Sequence, residues 1–368
     1  MEKYMRRAIE LAKKGEGFCH PNPLVGAVIV KDGRIIGEGY HARYGDLHAE
    51  RNAIKSLIEP AAGATLYCTL EPCCHTGKQP PCTEAIIENG IKKVVVGSDD
   101  PNELVRGKGF EILEKAGIEV VRHFMKEECD ALNDIFFHYI SKKTPYVIMK
   151  YAMTADGKIA TETGKSKWIT NEASRAEVQR LRHRCMGIMA GIGTVLADDP
   201  MLNCRLEGGK DPIRIIADSS LRIPLDSQIC KTAKEQRTIV VSAVKNEDVS
   251  RIRELEAVGV EVINCYDPKV RGVDLRCLMK KLGEMKIDSI LLEGGGTLNA
   301  SALKYWVVNE VRAFVGSKIF AGKGRFPVEG TGIDEVEDSY RLKLKDIERF
   351  GDDVMLTYRR EVDRCLQA

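Results

Sequence analysis

Three good metal ligands and one carboxylate stand at spacings that leave the first third of this chain few ways to fold. They are His48, followed by Ala49 and Glu50, then Pro72-Cys73, and later Cys82. One imidazole and two thiolates suit zinc, and three protein ligands leave a fourth position open for water. Using them together brings the segments around 48, 73 and 82 to one point. If His48 opens a helix, Glu50 lies within one turn of a ligand without itself ligating. From there it can take a proton from metal-activated water and deliver it to a leaving amine.

The set follows the zinc-deaminase pattern His-x-Glu with Pro-Cys-x-x-Cys, except that the second cysteine comes late. The intervening residues are Cys74-His75-Thr76-Gly77-Lys78-Gln79-Pro80-Pro81. Because Cys74 and His75 lie there too, the alternative is a structural site with one of them as fourth ligand. Glu50 argues against that, since a closed structural site has no use for it.

Around these residues the chain alternates short apolar runs with helical spacing. A helix is expected up to about Lys14, with Met5, Ala8, Ile9 and Ala12 on one stripe. His20-Pro21-Asn22-Pro23 is a rigid loop. Strands are expected at Val25 to Val30 and Ile35 to Tyr40, joined at Asp32-Gly33. Further strands fall at Thr65 to Leu70, Lys93 to Gly97 and Ile118 to Val121, with helices at His48 to Leu57, Pro81 to Asn89 and Arg106 to Ala116. The order is that of an α/β sandwich. It ends near residues 133 to 144, so the domains are taken as 1–144 and 145–368.

The pattern then restarts. Strand-like runs occur at Tyr146 to Met153, Gly187 to Gly191, Pro212 to Ala217, Thr238 to Ser242, Val260 to Ile263, Ser289 to Leu292 and Val311 to Val315. Helical segments between them, notably Glu172 to Arg184 and Asp274 to Met285, imply a mostly parallel sheet. Ligands on such sheets bind beyond the carboxyl ends of the strands. Gly294-Gly295-Gly296-Thr297-Leu298-Asn299 follows one strand and opens a helix, a place where backbone N–H groups can meet phosphate. Gly191-Ile192-Gly193-Thr194 could form a second wall. Neither is Gly-x-Gly-x-x-Gly, which argues against a standard Rossmann domain.

Bulk properties narrow the function. At 368 residues the chain is too long for one ordinary core. A net charge of +2 gives no strong footprint for nucleic acid, which favours a small-molecule substrate. No apolar run approaches the roughly 20 residues of a membrane span. Met1-Glu2-Lys3-Tyr4-Met5-Arg6-Arg7 leads into charged helical sequence, not a signal-peptide core. A cytoplasmic location is therefore expected, with no membrane partner. The 12 cysteines are then mostly free thiols. A homo-oligomer is the expected assembly.

His20-Pro21-Asn22-Pro23-Leu24-Val25-Gly26, His48-Ala49-Glu50 and Glu71-Pro72-Cys73-Cys74-His75-Thr76-Gly77-Lys78 together resemble the bifunctional riboflavin-biosynthesis deaminase/reductases. The second half resembles them through Lys150-Tyr151-Ala152-Met153-Thr154-Ala155-Asp156-Gly157-Lys158 and Leu292-Glu293-Gly294-Gly295-Gly296. The late second cysteine is a feature of this family. The resemblance implies a cytidine-deaminase-like α/β/α sandwich followed by a dihydrofolate-reductase-like domain. The first would deaminate 2,5-diamino-6-ribosylamino-4(3H)-pyrimidinone 5′-phosphate with Zn2+. The second would reduce the ribosyl group to ribityl with NADPH.

In the deaminase pocket the resemblance implies Asn22, His41, His75 and Lys78 as substrate contacts. In the reductase it places Ala152, Trp168, Thr194, Asp198 and Ser219 at NADPH, beside the Gly294 to Asn299 segment. It places Ser166, Arg182, Leu202, Arg205 and Glu293 at the substrate. Arginines suit phosphate because a guanidinium can donate two parallel hydrogen bonds. Ser219, Ser220 and Arg222 are candidates for the cofactor's 2′-phosphate.

Overall fold

The structure, a computed structural model, describes residues 1–76, 79–246 and 248–361. The chain divides into two compact units, the first ending at Lys143 and the second starting at Thr144.

The first unit opens with α1 (Glu2–Lys13), whose buried side chains are Met5, Ala8, Leu11 and Ala12; Ile9 is only half-buried. β1 (Gly26–Lys31) and β2 (Arg34–Tyr40) form a hairpin. Both turn residues, Asp32 and Gly33, have positive φ, as a two-residue turn matched to strand twist requires. There follow α2 (Ala49–Lys55), β3 (Thr65–Leu70), α3 (Cys82–Glu88), β4 (Lys93–Ser98), α4 (Lys108–Lys115), β5 (Glu119–Val121), α5 (Lys126–Asp130) and α6 (Asp134–Lys142). The sheet runs β2-β1-β3-β4-β5. β1 is antiparallel to β2 and β3, whereas β3–β4 and β4–β5 are parallel.

Strand alternation divides the core between the two faces. Val28, Val30, Tyr67 and Val95 pack with Met5, Ala8, Leu11 and Cys129, on the side of α1 and α5. Ala27, Ile29, Leu66, Val94 and Val96 pack with Ala53, Ile86, Leu113 and Phe136, on the side of α2, α3, α4 and α6. The result is the expected α/β/α sandwich. At Gly39, a Cβ would lie 2.3 Å from Ala53 N and 2.4 Å from Ala49 O. That missing side chain lets the first turn of α2 lie directly on β2.

The second unit runs β6 (Tyr146–Thr154), α7 (Glu172–Arg184), β7 (Gly187–Gly191), α8 (Ile192–Asp198), β8 (Ile213–Ala217), α9 (Gln228–Lys231), β9 (Thr238–Ser242), α10 (Val249–Ala257), β10 (Val260–Asn264), α11 (Leu275–Glu284), β11 (Ser289–Leu292), α12 (Gly296–Lys304), β12 (Glu310–Gly316), β13 (Leu342–Phe350) and β14 (Asp353–Arg360). Its sheet order is β10-β9-β8-β7-β11-β6-β12-β14-β13. Neighbours from β10 to β12 are parallel. β14 adds antiparallel to β12, and β13 to β14.

This closing hairpin is absent from the sequence-based expectation. β13 is largely exposed, alternates charged residues with leucines, and has a register shift between Leu344 and Asp346 that breaks its two-residue period. Ile215, Ile239 and Leu292 face α11 and α12, while Ile188, Ile216 and Val240 face α8, α9 and α10.

Candidate functional site

In the first unit the ligand candidates lie where backbone elements begin. His48 is the N-cap of α2, and Cys82 is the first residue of α3. Cys73 follows β3 after Glu71-Pro72. His48 Nδ1 lies 3.4 Å from Cys73 Sγ and 3.5 Å from Cys82 Sγ. A tetrahedral zinc ion with ordinary Zn–S and Zn–N bonds would set that edge at about 3.6 Å. All three ligand atoms lie within 4.8 Å of one another, so the donor set fits a zinc ion. Cys74 points its Sγ at Leu104 O, 3.6 Å away, and neither it nor His75 joins the cluster. Among the described residues this is a three-ligand site, with a position left for water.

The electrostatics suit ligation and proton transfer. The hydrogen bond from Cys82 brings the Cys73 thiol down to about 4 against the opposing effect of burial, and His48 and the Cys82 amide N–H reinforce it. Glu50, 3% exposed, has its carboxyl pushed up by burial and by the charge of Cys73. A carboxyl so placed holds a proton more readily than one in water.

His41 Nδ1 lies 3.1 Å from Leu47 O and its Nε2 lies 3.2 Å from Asn22 Nδ2. Burial lowers the His41 pKa, so the ring is neutral at pH 7, with Nδ1 donating to the carbonyl and Nε2 accepting from Asn22. Its ring meets that of His48 edge-on, with centroids 5.5 Å apart. Asn22 and His41 are thus gathered at the ligand cluster. His75 has a buried Nδ1 with no hydrogen-bond partner among the described residues. Lys78 lies outside the described residues.

Sequence reasoning overlooked three residues that hold this site. Arg51, on α2, donates to Pro80 O and Pro81 O just ahead of Cys82. Glu71 accepts from the amides of Asp100, Gly107 and Gly109. Asn133 both donates to and accepts from the Leu24 backbone, pinning the loop that carries Asn22. Only Glu71, beside Pro72-Cys73, had a local signal; the other two pair with residues 29 or more positions away.

In the second unit the candidates line the carboxyl edge of the parallel strands. Ser219 follows β8, Thr194 lies in the first turn of α8 directly after β7, and Glu293 to Gly296 follow β11. Ala152 lies on β6, half-buried. Added Cβ atoms at Gly193 and Gly295 would meet nothing within 4 Å, so the backbone there is open to a ligand on two adjacent strand ends. That cradle fits a nucleotide phosphate. Thr297 is exposed and Leu298 packs near Gly191, but Asn299 is buried and donates to Pro327 O. Asp198 is exposed at the end of α8. Trp168 is 57% exposed and stacks on Arg175, and Ser166 is half-buried in the same segment.

Glu293 is the electrostatic centre of this cleft. Arg182 grips it through Nε at 2.7 Å and Nη2 at 3.1 Å, and Lys150 Nζ lies 3.5 Å away. Burial raises the carboxyl, yet the two cations outweigh it and bring it to about 2. Arg182 also donates to Asn203 O, so much of its guanidinium is engaged within the protein. Arg205 is exposed, and none of the described residues accepts from its guanidinium. Leu202 is buried with φ of 49°. The side chain of Lys150, which the sequence left without a partner, joins Glu293 because β6 and β11 are paired neighbours.

These two geometries define a class of protein, a zinc-dependent deaminase joined to a nucleotide-dependent reductase. Residues 1–98 match the cytidine and deoxycytidylate deaminase zinc-binding region, and residues 145–356 match the RibD C-terminal domain. The riboflavin biosynthesis protein RibD of Actinobacillus pleuropneumoniae is 55% identical over 96% of this chain and 94% of its own. That of Aquifex aeolicus is 43% identical over 98% of each. The crystal structure of a diaminohydroxyphosphoribosylaminopyrimidine deaminase/5-amino-6-(5-phosphoribosylamino)uracil reductase from Thermotoga maritima superposes with a TM-score of 0.86, at 40% identity over 98% of both chains. The chain therefore belongs to the RibD family of bifunctional riboflavin-biosynthesis deaminase/reductases. Its cofactors are zinc in the deaminase half and NADPH in the reductase half. Among the described residues no helix is long and apolar enough to cross a membrane.

Proposed function

We propose that the first unit hydrolyses the amino group from the ring of 2,5-diamino-6-ribosylamino-4(3H)-pyrimidinone 5′-phosphate, releasing ammonia, and that the second reduces the ribosyl group of the product to ribityl. The product is 5-amino-6-ribitylamino-uracil 5′-phosphate. The observation that carries this reading is the His48, Cys73 and Cys82 cluster with buried Glu50 in the first turn of the helix that His48 caps.

His48, Cys73 and Cys82 hold the zinc. Bound zinc supplies Lewis-acid activation of a water molecule near neutral pH. Glu50 accepts the proton that water gives up and returns it to the leaving nitrogen, for which its raised pKa is suited. Asn22, its amide fixed by donation to His41 Nε2, presents the rest of its carboxamide to a ring edge. His75 and Lys78 complete the substrate set, with Lys78 meeting the phosphate.

In the reductase, NADPH supplies the hydride. Thr194, Ser219 and the Gly294–Thr297 turn bind its phosphates and ribose, with Ala152, Trp168, Asp198, Leu298 and Asn299 completing the wall. Arg205 grips the substrate phosphate, and Ser166 and Leu202 border the sugar. Glu293, kept ionised by Lys150 and Arg182, accepts from sugar hydroxyls and steadies positive charge where hydride arrives. We further take the protein to be a cytoplasmic homo-oligomer without nucleic-acid or membrane partners, its assembly testable by light scattering.

The test is a product mass spectrum from purified, zinc-replete protein and the diaminopyrimidine substrate. Deamination without NADPH, followed by reduction when NADPH is added, is the expected result. Absence of both changes in folded protein would overturn the substrate assignment.

A further inference from the structure

Between α8 and β8 lies a segment, Pro200 to Arg205, without secondary structure. Among the described residues no backbone–backbone hydrogen bond begins or ends within it. Side chains from elsewhere hold its main chain instead. Arg214 donates to Met201 O, Gln236 to Leu202 O and Arg182 to Asn203 O, while Asp211 accepts from Cys204 N and Gln179 from Arg205 N. In the middle of the segment Leu202 has φ of 49°, a left-handed conformation that a leucine adopts only when its surroundings impose it.

Two of these holders are otherwise hard to explain. Arg214 is fully buried on β8 and forms no ion pair with a described residue; its guanidinium donates to Thr238 Oγ1, Thr232 Oγ1, Gln236 O and Met201 O. Burial brings its pKa down to about 10, so it still carries its charge at neutral pH. A cation in such a place is costly, and an apolar side chain would fill the space without that cost. Gln236, 8% exposed, receives Arg214 on its own carbonyl and spends its side-chain amide on Leu202 O and Pro212 O. The two form one relay from the sheet interior to the segment.

We propose that Arg214 and Gln236 are positioning residues of the reductase, holding Met201 and Leu202 so that Leu202 and Arg205 are presented to the phosphorylated sugar. This rests on the reading above that Leu202 and Arg205 touch substrate. The relay acts on binding geometry and touches no reacting atom. Loosening it leaves Arg205 tied to Gln179 at its amide but frees the main chain at Met201 and Leu202 that leads into it, and misplacement of this kind costs about tenfold to a hundredfold in kcat/KM.

The experiment uses the full-length, zinc-replete enzyme and the 5-amino-6-(5-phosphoribosylamino)uracil substrate. Steady-state reductase kinetics are compared for wild type, Gln236→Leu, Arg214→Lys, Arg205→Ala and the double variant Gln236→Leu/Arg205→Ala. The circular dichroism spectrum and chemical denaturation curve of each preparation report that the second unit has folded. Gln236→Leu is expected to raise KM for this substrate about tenfold with the KM for NADPH little changed. Arg214→Lys, which keeps the charge but not the fork, is expected to fall between it and wild type. In the double variant the Gln236→Leu effect should largely vanish, because the arginine it positions is gone; a merely structural role would leave the two effects additive. Additive effects, or an unchanged KM in Gln236→Leu, overturn the positioning role. If Arg205→Ala itself leaves KM unchanged, the substrate reading fails and this inference falls with it.

Discussion

Each buried charge of this protein has a different accounting. Glu50 is buried near thiols and has its pKa raised, whereas Glu293 is buried between two cations and has its lowered to about 2. Glu50→Gln keeps the shape of the side chain and loses the proton carrier. Deamination should fall at least a hundredfold with zinc content retained, read by metal analysis beside ammonia release; lost zinc would instead make Glu50 a ligand. Because the folded pKa of Glu293 is depressed, its contribution to stability is full above the unfolded value near pH 4.3 and is lost as pH falls toward 2. Glu293→Gln leaves Arg182 and Lys150 without their counter-charge and should destabilise the second unit by about 3 kcal/mol at pH 7. Denaturation curves repeated toward acid should show that difference shrinking. The grouping of His48, Cys73 and Cys82 was legible because zinc chemistry admits few residue types. Arg51 and Asn133 were not, since a side chain donating to a distant carbonyl leaves no local signature.

At the level of elements, position follows from close approach. α2 brings His48 and Glu50 to the cysteines because Gly39 leaves its strand bare beneath Ala49 and Ala53. Gly39→Ala puts a methyl group against helix backbone, which cannot turn aside as a side chain could. The helix must lift, and overpacking of this kind costs about 1–3 kcal/mol. Zinc retention and deamination should both drop, while reduction by the same preparation stays near wild type. Nearly all the strands were readable from apolar runs bounded by turns. β13 and β14 were not: β13 is an edge strand that wants charge for its exposed face, and its bulge erases the alternation that would have marked it. Met355, fully buried at the centre of β14, is the better sign, and Met355→Ala should cost the second unit about 2–5 kcal/mol by chemical denaturation.

For the whole molecule, the metal belongs to one unit alone. All three ligand candidates fall before residue 143, and among the described residues no second such cluster exists. Removing zinc with a chelator should abolish deamination and lower the first unit's unfolding temperature, because a ligand that binds only the folded state stabilises it by mass action. Reduction of the deaminated substrate should continue, and its loss would show that the metal also supports the second half. The two sheets differ also in when they can be completed. The last strand of the first unit is β5, at Glu119–Val121. In the second, β6 and β7 are joined only through β11, at Ser289–Leu292, which pairs with both. A ribosome would thus have the entire deaminase in hand long before the centre of the reductase sheet exists. The growing chain must carry β6 and β7 unjoined while about a hundred residues are added, and refolding of the second half should be the slower of the two.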